Sequence, residues 1–306
     1  MEIRQLKTFL TVARFLSFNR AATHLHYAQS SISSQIQALE DELGVQLFDR
    51  LGRGILLTDA GMRLLQYAEK IIDLADETRS ELVGAKELTG ALTIKMPETL
   101  GVHRLPDVIG VFRSCFPKVR LRFTSCTHEG LQKDLRKGIT DLAFLLAESI
   151  QAADLAVEAL GIEPLVIVAH PRHRLAARPA IRPKDLEGET ILYSTVDCSY
   201  RRSLESLLNS EKVRYDGALE FNSIESIKRC VMAGTGISIL PEVTVEEDLS
   251  RGRLTVLSLG EDKLEVATLM IWYRDRWLSP TLNAFMQVAR EVLSESYRRD
   301  ESPRQP

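Results

Sequence analysis

The stretch that decides the fold is Ser17–Arg50, SFNRAATHLHYAQSSISSQIQALEDELGVQLFDR. It reads as two short helices joined by a tight turn and followed by the first strand of a β-hairpin wing. That arrangement suits the placing of one polar helix in a groove of duplex DNA. Upstream, Ile3, Leu6, Phe9, Leu10, Ala13 and Leu16 recur at helical spacing and predict one buried face. Ser17 or Asn19 offers an N-cap to the next helix, in which Ala21, Ala22 and Leu25 face inward. Alanine is the residue type that a close helix crossing admits.

The third helix is expected from roughly Ser30 to Leu43, with Ile32, Ile36, Leu39 and Leu43 inward. Gln29, just before it, joins Ser30, Ser33, Ser34 and Gln37 on an outer face that is polar, short-chained and uncharged. Gln bonds adenine in a bidentate way and Ser donates or accepts, so these side chains fit base edges. Ser31 and Asn19 complete the candidate contacts of the helices. The segment VQLFDR–LGRG–ILLT predicts strand, turn, strand, with Gly52 and Gly54 supplying turn freedom. Arg53 at the tip suits a minor groove, where the potential is most negative. Arg50 at the base suits a phosphate.

From Thr58 to about Leu88 one long helical pattern follows, with Thr58 as N-cap and Asp59 complementing the positive helix end. Leu64, Tyr67, Ala68, Ile71, Leu74, Thr78 and Leu82 form a stripe that Leu65, Ile72 and Ala75 widen. So wide an apolar face is expected to pack either on its own chain or on the same helix of a second chain. The second arrangement would set two reading helices on a palindromic site. Gly84 and Gly90 bracket the exit.

Past Gly90 the pattern alternates strand and helix: ALTIKM, VRLRFTS, DLAFLLA, PLVIVAH, TILYS, ALEFN, GISILP and VATLMIWY read as strands, with amphipathic helices such as LQKDLRKG and SIESIKRCVMAG between. Such alternation predicts parallel α/β sheets. Strand, helix, glycine and strand occur in VRLRFTS…LRKGITDLAFLL and again in ALEFNS…VMAGTGISILP. This echo predicts two like subdomains around a cleft, with crossings near Gly161 and Glu265. Strand-to-helix junctions at KMPETLG, SCTHEG and STVDCSYRRSLE offer donor-rich pockets for an anion, with Thr99, Leu100, Thr127 and Ser199 as candidates and Arg201 as a fixed charge.

The pattern Ala21-Ala22, Leu25, Gln29, Ser33, Gln35-Ile36, Leu39-Glu40, Leu43-Gly44, Leu47-Phe48, Arg50, Leu57-Thr58 and Ala60-Gly61 resembles the LysR-type transcriptional regulators. The likeness is dense and nearly gapless over the first sixty or so residues, and the remainder has fitting length and organisation. It implies an N-terminal winged helix-turn-helix, a long linker helix, and a C-terminal effector-binding domain like periplasmic binding proteins. It also implies assembly as dimer or tetramer, and effectors, often small carboxylates, held at positions matching Thr99 and Thr127. Two positions depart from the pattern: Ala28 stands where Ser or Thr is common, and Ser34 where Arg is common. The expected division is residues 1–58, 59–89 and 90–300, the last made of subdomain I (90–161 and 266–300) and subdomain II (162–265), with 301–306 a tail.

The 306 residues, 44% hydrophobic and 26% charged, are those of an ordinary globular chain of two or three domains. With a net charge of −3, any DNA contact must come from a local arrangement. The N-terminus is not expected to be a signal peptide and no run is long enough to span a bilayer, so a cytoplasmic location and no membrane partner are expected. No P-loop, GxSxG or HExxH occurs, and GTGISILP lacks the strand-first order of a dinucleotide fingerprint. The expectation is therefore no enzyme, no cofactor and no metal site. His24, His26, His170 and His173 read as surface histidines. Cys115, Cys126, Cys198 and Cys230 form no CxxC pair or zinc spacing. Cys198, with Arg201 or Arg202 to lower its pKa, carries an alternative reading as a thiol-responsive regulator. The resemblance adds that such sensors use a second cysteine shortly downstream, and here the next is Cys230. A solute-binding protein is a lesser alternative. The expected partners are double-stranded DNA, a small and anionic effector, and further copies of the chain.

Overall fold

The computed structural model describes residues 1–51, 54–82, 88–125, 130–148, 150, 152–195, 199–214, 217–260 and 263–301. The chain divides into two compact units, one formed by Met1–Ala91 with Lys118–Arg120, the other by Leu92–Pro117 and the chain from Leu121 onward.

The first unit contains α1 (Ile3–Phe15), α2 (Phe18–Leu25), α3 (Gln29–Leu43), β1 (Phe48–Leu51), β2 (Gly54–Leu57) and α4 (Asp59–Leu82). Ser17 caps α2, its hydroxyl accepting from the Arg20 N–H. Phe9, Val12, Ala21, Ile32 and Leu39 are buried together, with Leu47 and Phe48 closing the core from the wing side. Two residues assigned inward by periodicity lie outside this core. Leu16 is the left-handed residue ending α1 and is exposed. Leu43 is the last residue of α3 and is exposed as well. Both sit where the helix ends, so the 3.6-residue repeat no longer aims them at the core.

β1 and β2 pair antiparallel, Phe48 opposite Leu57. Arg53 and Gly52 lie outside the described residues, as does the side chain of Arg50. Glu40 holds the base of this ribbon. Although acidic it is buried, and its Oε1 accepts from the Leu47 N–H at 2.7 Å and the Phe48 N–H at 3.3 Å. Thr58 caps α4, its Oγ1 accepting from the Gly61 N–H at 3.0 Å. Gly61 in turn admits the Leu47 carbonyl, which a Cβ would strike.

α4 packs on its own chain, the first of the two arrangements expected for it. Ala68 and Ile72 are buried in the core of its own chain, where Leu64, Leu65 and Ile71 also pack. Met62, Tyr67 and Leu74 remain exposed on the same helix. Gly84 and the other residues from 83 to 87 lie outside the described residues.

The second unit contains β3 (Ala91–Met96), α5 (Glu98–His103), α6 (Leu105–Cys115), β4 (Arg120–Ser125), α7 (Leu131–Arg136), β5 (Leu142–Ala147), β6 (Leu155–Ala169), β7 (Thr190–Ser194), α8 (Ser199–Ser210), β8 (Gly217–Phe221), α9 (Ile224–Met232), β9 (Ile237–Pro241), α10 (Glu246–Ser250), β10 (Thr255–Val256), β11 (Leu264–Tyr273) and α11 (Pro280–Glu301). Among described residues one sheet runs β4-β3-β5-β11-β6-β9-β7-β8, with β10 beside β6. It is mixed rather than wholly parallel. β3 pairs with β5, and β7 with β8 and β9, in parallel. The long β6 and β11 run antiparallel to one another and to their outer neighbours. These two strands carry the chain between a lobe around β5 and a lobe around β7. Their direction follows from crossing rather than from winding through a helix. Each lobe has its own core, Leu135, Ala143, Leu145 and Leu269 in one and Leu192, Ile227, Val231 and Leu240 in the other.

Replacing Glu40 with Ala would leave two buried N–H groups without an acceptor, a loss of about 1–3 kcal/mol. Urea unfolding of the purified protein should show that loss, and Glu40→Gln, which keeps Oε1, should lose less.

Candidate functional site

Two regions bring the candidate residues together, one in each unit. In the first unit, α3 begins without a side-chain cap: its N-cap is Ala28, whose methyl accepts nothing. Its first turn is bare of acidic groups. Gln29, Ser30, Ser31, Ser34 and Gln37 are exposed and Ser33 is half-buried, while Asn19 is exposed on α2. Ile32 and Ile36 on the opposite side are fully in the core. The polar face is therefore held in place by the burial of the apolar one.

The face is partly wired to itself. Gln29 Nε2 donates to Ser33 Oγ at 2.8 Å, and Gln37 Nε2 donates to Asp41 Oδ1 at 2.8 Å. The first bond fixes the Gln29 amide over the helix start. The second turns Gln37 toward the acidic end of α3, away from the half most suited to a groove.

Arg4 and Tyr27, neither of them among the sequence candidates, join Ser30, Ser31, Ser34 and Gln35 around an open hollow of about 380 Å³. Arg4 is exposed and has no ion pair among the described residues. Gln35 is steadied from beneath, its Oε1 accepting from the buried Thr8 hydroxyl at 2.8 Å. A cation, a phenol and three serines around one concavity make a surface for phosphate and base edges. Arg4 escapes a sequence reading because α1 reads as a core helix, and only packing brings its first turn beside α3. The Arg20 guanidinium lies over the Phe15 ring, 5.0 Å from its centre.

In the second unit, β3 ends at Met96 and α5 follows with Pro97 as N-cap, so Thr99 lies inside the first turn rather than capping it. Thr99 and Leu100 are buried. Thr99 Oγ1 is 3.4 Å from the Tyr200 hydroxyl, which α8 supplies from the other lobe. Beside them Ser203 Oγ donates to Glu148 Oε1 at 3.1 Å. These contacts join the two lobes through hydroxyl groups. Thr127 and Cys198 lie outside the described residues, as does the side chain of Ser199.

Arg201 is described, and its charge is already matched. Nε donates to Glu205 and Nη1 to Glu220, both at 2.7 Å, and the guanidinium stacks on Tyr193. The hydrogen bond to Glu205, and then that to Glu220, raise its pKa above the ordinary arginine value. Among the described residues no group of three or more His, Cys, Asp or Glu is placed to hold a metal ion. No helix of the described residues is long and apolar enough to cross a membrane.

Residues 3–62 match the family described as "Bacterial regulatory helix-turn-helix protein, lysR family", and residues 85–294 match "LysR substrate binding domain". The uncharacterised HTH-type transcriptional regulator YwqM of Bacillus subtilis is 40% identical over 95% of this chain and 99% of its own. The regulator GltR of the same organism is 33% identical over 95% and 97%. Among solved structures, full-length CbnR complexed with its target DNA has a TM-score of 0.68 at 23% identity, covering 95% of this chain and 100% of that one, a likeness of fold. The chain belongs to the LysR family: it is a LysR-type transcriptional regulator with a helix-turn-helix DNA-binding domain and a C-terminal effector-binding domain.

Since α3 begins on an alanine, Ala28→Ser should restore a capping acceptor. The expected gain is about 1 kcal/mol in unfolding free energy, read by urea titration. No gain would mean that the existing turn already satisfies the first N–H groups of α3.

Proposed function

We propose that two copies pair through the apolar face of α4 and present their α3 helices to successive major grooves of a palindromic promoter site. Gln29, Ser30, Ser31, Ser33 and Ser34 are the proposed base-reading set, with Asn19 and Gln37 at its margins. Arg53 enters the minor groove from the wing tip, and Arg50 together with Arg4 holds phosphates. The observation that carries this reading is the hollow in which exposed serines of α3 share one surface with Arg4. Net charge is no objection, because the recognition surface itself is uncharged and its cations stand at the rim. Exposed Met62, Tyr67 and Leu74 on α4 support self-association, as a dimer or a pair of dimers.

In the second unit the proposed effector site lies at Thr99, Leu100, Thr127, Ser199 and Arg201, between the lobes. A small anion there would rely on hydroxyl and backbone donors, since Glu205 and Glu220 already share the Arg201 charge. An effector that prefers one lobe arrangement shifts the population toward it, and one without such preference shifts nothing. The proposed division of the chain remains 1–58, 59–89 and 90–300. Its relatives are transcriptional regulators, which supports action by binding rather than turnover, on DNA in the cytoplasm.

Fluorescence anisotropy on a fragment upstream of the protein's own gene, against bulk competitor DNA, tests the reading. Arg4→Ala should weaken binding to specific and unrelated DNA alike and make the salt slope shallower by about 1, as for one lost phosphate contact. Gln29→Ala should instead narrow the gap between the two DNAs by about 1–3 kcal/mol. Equal effects of both substitutions on unrelated DNA would contradict the assigned roles.

A further inference from the structure

Behind the cleft lies a buried polar cluster that neither DNA binding nor effector contact explains. Arg104 and Glu163 are both almost fully buried. Arg104 Nε and Nη2 each donate to Glu163 at 3.0 Å, a two-pronged pairing, and Nη1 donates to Ser296 Oγ at 3.1 Å. The guanidinium stacks on the Tyr297 ring, 4.5 Å from its centre. The Tyr297 hydroxyl donates to Glu163 Oε2 at 3.2 Å and is hydrogen-bonded to Thr268. Burial, and then Glu163, raise the pKa of this phenol, so it stays a proton donor.

Its members come from four parts of the fold. Glu163 lies on β6 and Thr268 on β11, the two strands that cross between lobes. Thr268 is opposite Gly161, and the β6–β11 register slips beside that pair. Gly161 leaves room for the Tyr297 ring, which a Cβ would overlap. Ser296 and Tyr297 belong to α11. Arg104 ends α5 and begins α6.

A buried ion pair is a poor way to gain stability, because desolvation offsets most of its attraction and apolar replacements are often as stable. What an arginine fork supplies is direction. α5 has six residues, too few to hold itself as a helix, so its ends must be fixed from outside. One of those ends is Arg104, five residues beyond Thr99.

We propose that Arg104 and Tyr297 are positioning residues for the effector response. Through Glu163 and Thr268 they anchor α5, and with it Thr99 and Leu100, to the strands about which the lobes turn. The proposal rests on the reading of α5 as part of the effector site. A change in lobe angle is transmitted to the cleft lining by the same anchor, with no contact between effector and network.

Hydrogen exchange followed by mass spectrometry on the full-length protein tests this. Tyr297→Phe removes one hydroxyl, and Gly161→Ala displaces the ring while keeping every polar group. In both, exchange within 98–103 should rise by about five-fold or more, while that in 190–194 and 217–221 stays within about two-fold of wild type. Arg104→Lys, which keeps charge but loses the fork, should show the same local signature. Unchanged exchange in 98–103 in the first two variants would overturn the proposal. So would a rise spread evenly over both lobes in step with a falling Tm, the mark of a merely structural role. If Arg104→Lys does not fold, the other two variants decide. A thermal-shift screen of small carboxylates and amino acids on wild type tests the effector site separately, and its failure would count against that site while leaving the exchange result standing.

Discussion

Helix α3 carries a dry face and a wet face at once, and that division organises the first unit. Ile32, Ile36 and Leu39 occupy the core completely, so the helix cannot rotate about its axis without exposing them. Burying a side chain of that size is worth about 1.5–3 kcal/mol, and the three together lock the rotation. The Ser and Gln side chains then point outward as a consequence. The outer face needs no interactions of its own to be oriented, and among the described residues only Gln29, Ser33 and Gln37 on it are bonded within the helix. The Gln29–Ser33 bond costs little to give up, since a net hydrogen bond on the surface contributes only about 0.5–1.5 kcal/mol.

This is also why so much of the first unit was legible in the sequence. The core of the three-helix cluster repeats with helical period, and the alanines of α2 mark the close crossing. What the period could not show is where it stops. Leu16 and Leu43 continue the numerical pattern but fall at helix ends, where the backbone has already turned. Glu40 was hidden for a different reason. A carboxylate on a helix reads as solvated, and its burial depends on two backbone N–H groups of the wing that it accepts from. Arg4 likewise acquires its meaning only from the packing of α1 beside α3.

The second unit was legible as alternating elements, and less so as a sheet. The first half of β6 escapes the sequence reading, and its charged residues account for it. Glu158 and Glu163 interrupt the apolar pattern of Leu155–Ala169, yet each is matched by an arginine far along the chain, Arg290 on α11 and Arg104 at the end of α5. A strand that satisfies its charges through residues remote in sequence carries no local sign of doing so. The final helix α11 also escapes the sequence reading, although Leu282, Phe285, Met286, Ala289 and Leu293 recur at helical spacing and all five are buried.

Arg201 shows the same limit from the opposite side. As a residue in a sequence it is a free positive charge near a strand-to-helix junction. In the fold it belongs to Glu205 one turn along α8 and to Glu220 on the edge strand β8. An incoming carboxylate would have to displace one of these partners, and the exchange of one exposed ion pair for another returns little, about 0–1 kcal/mol. Affinity for a small anion in the proposed site would then have to come from groups other than the Arg201 guanidinium. Thr99 and Tyr200, both buried, place two hydroxyl oxygens 3.4 Å apart between the lobes, while the Ser203 hydroxyl is already given to Glu148. A ligand taking the place of the Thr99–Tyr200 contact would hold both lobes at one spacing, which is the differential binding a switch requires.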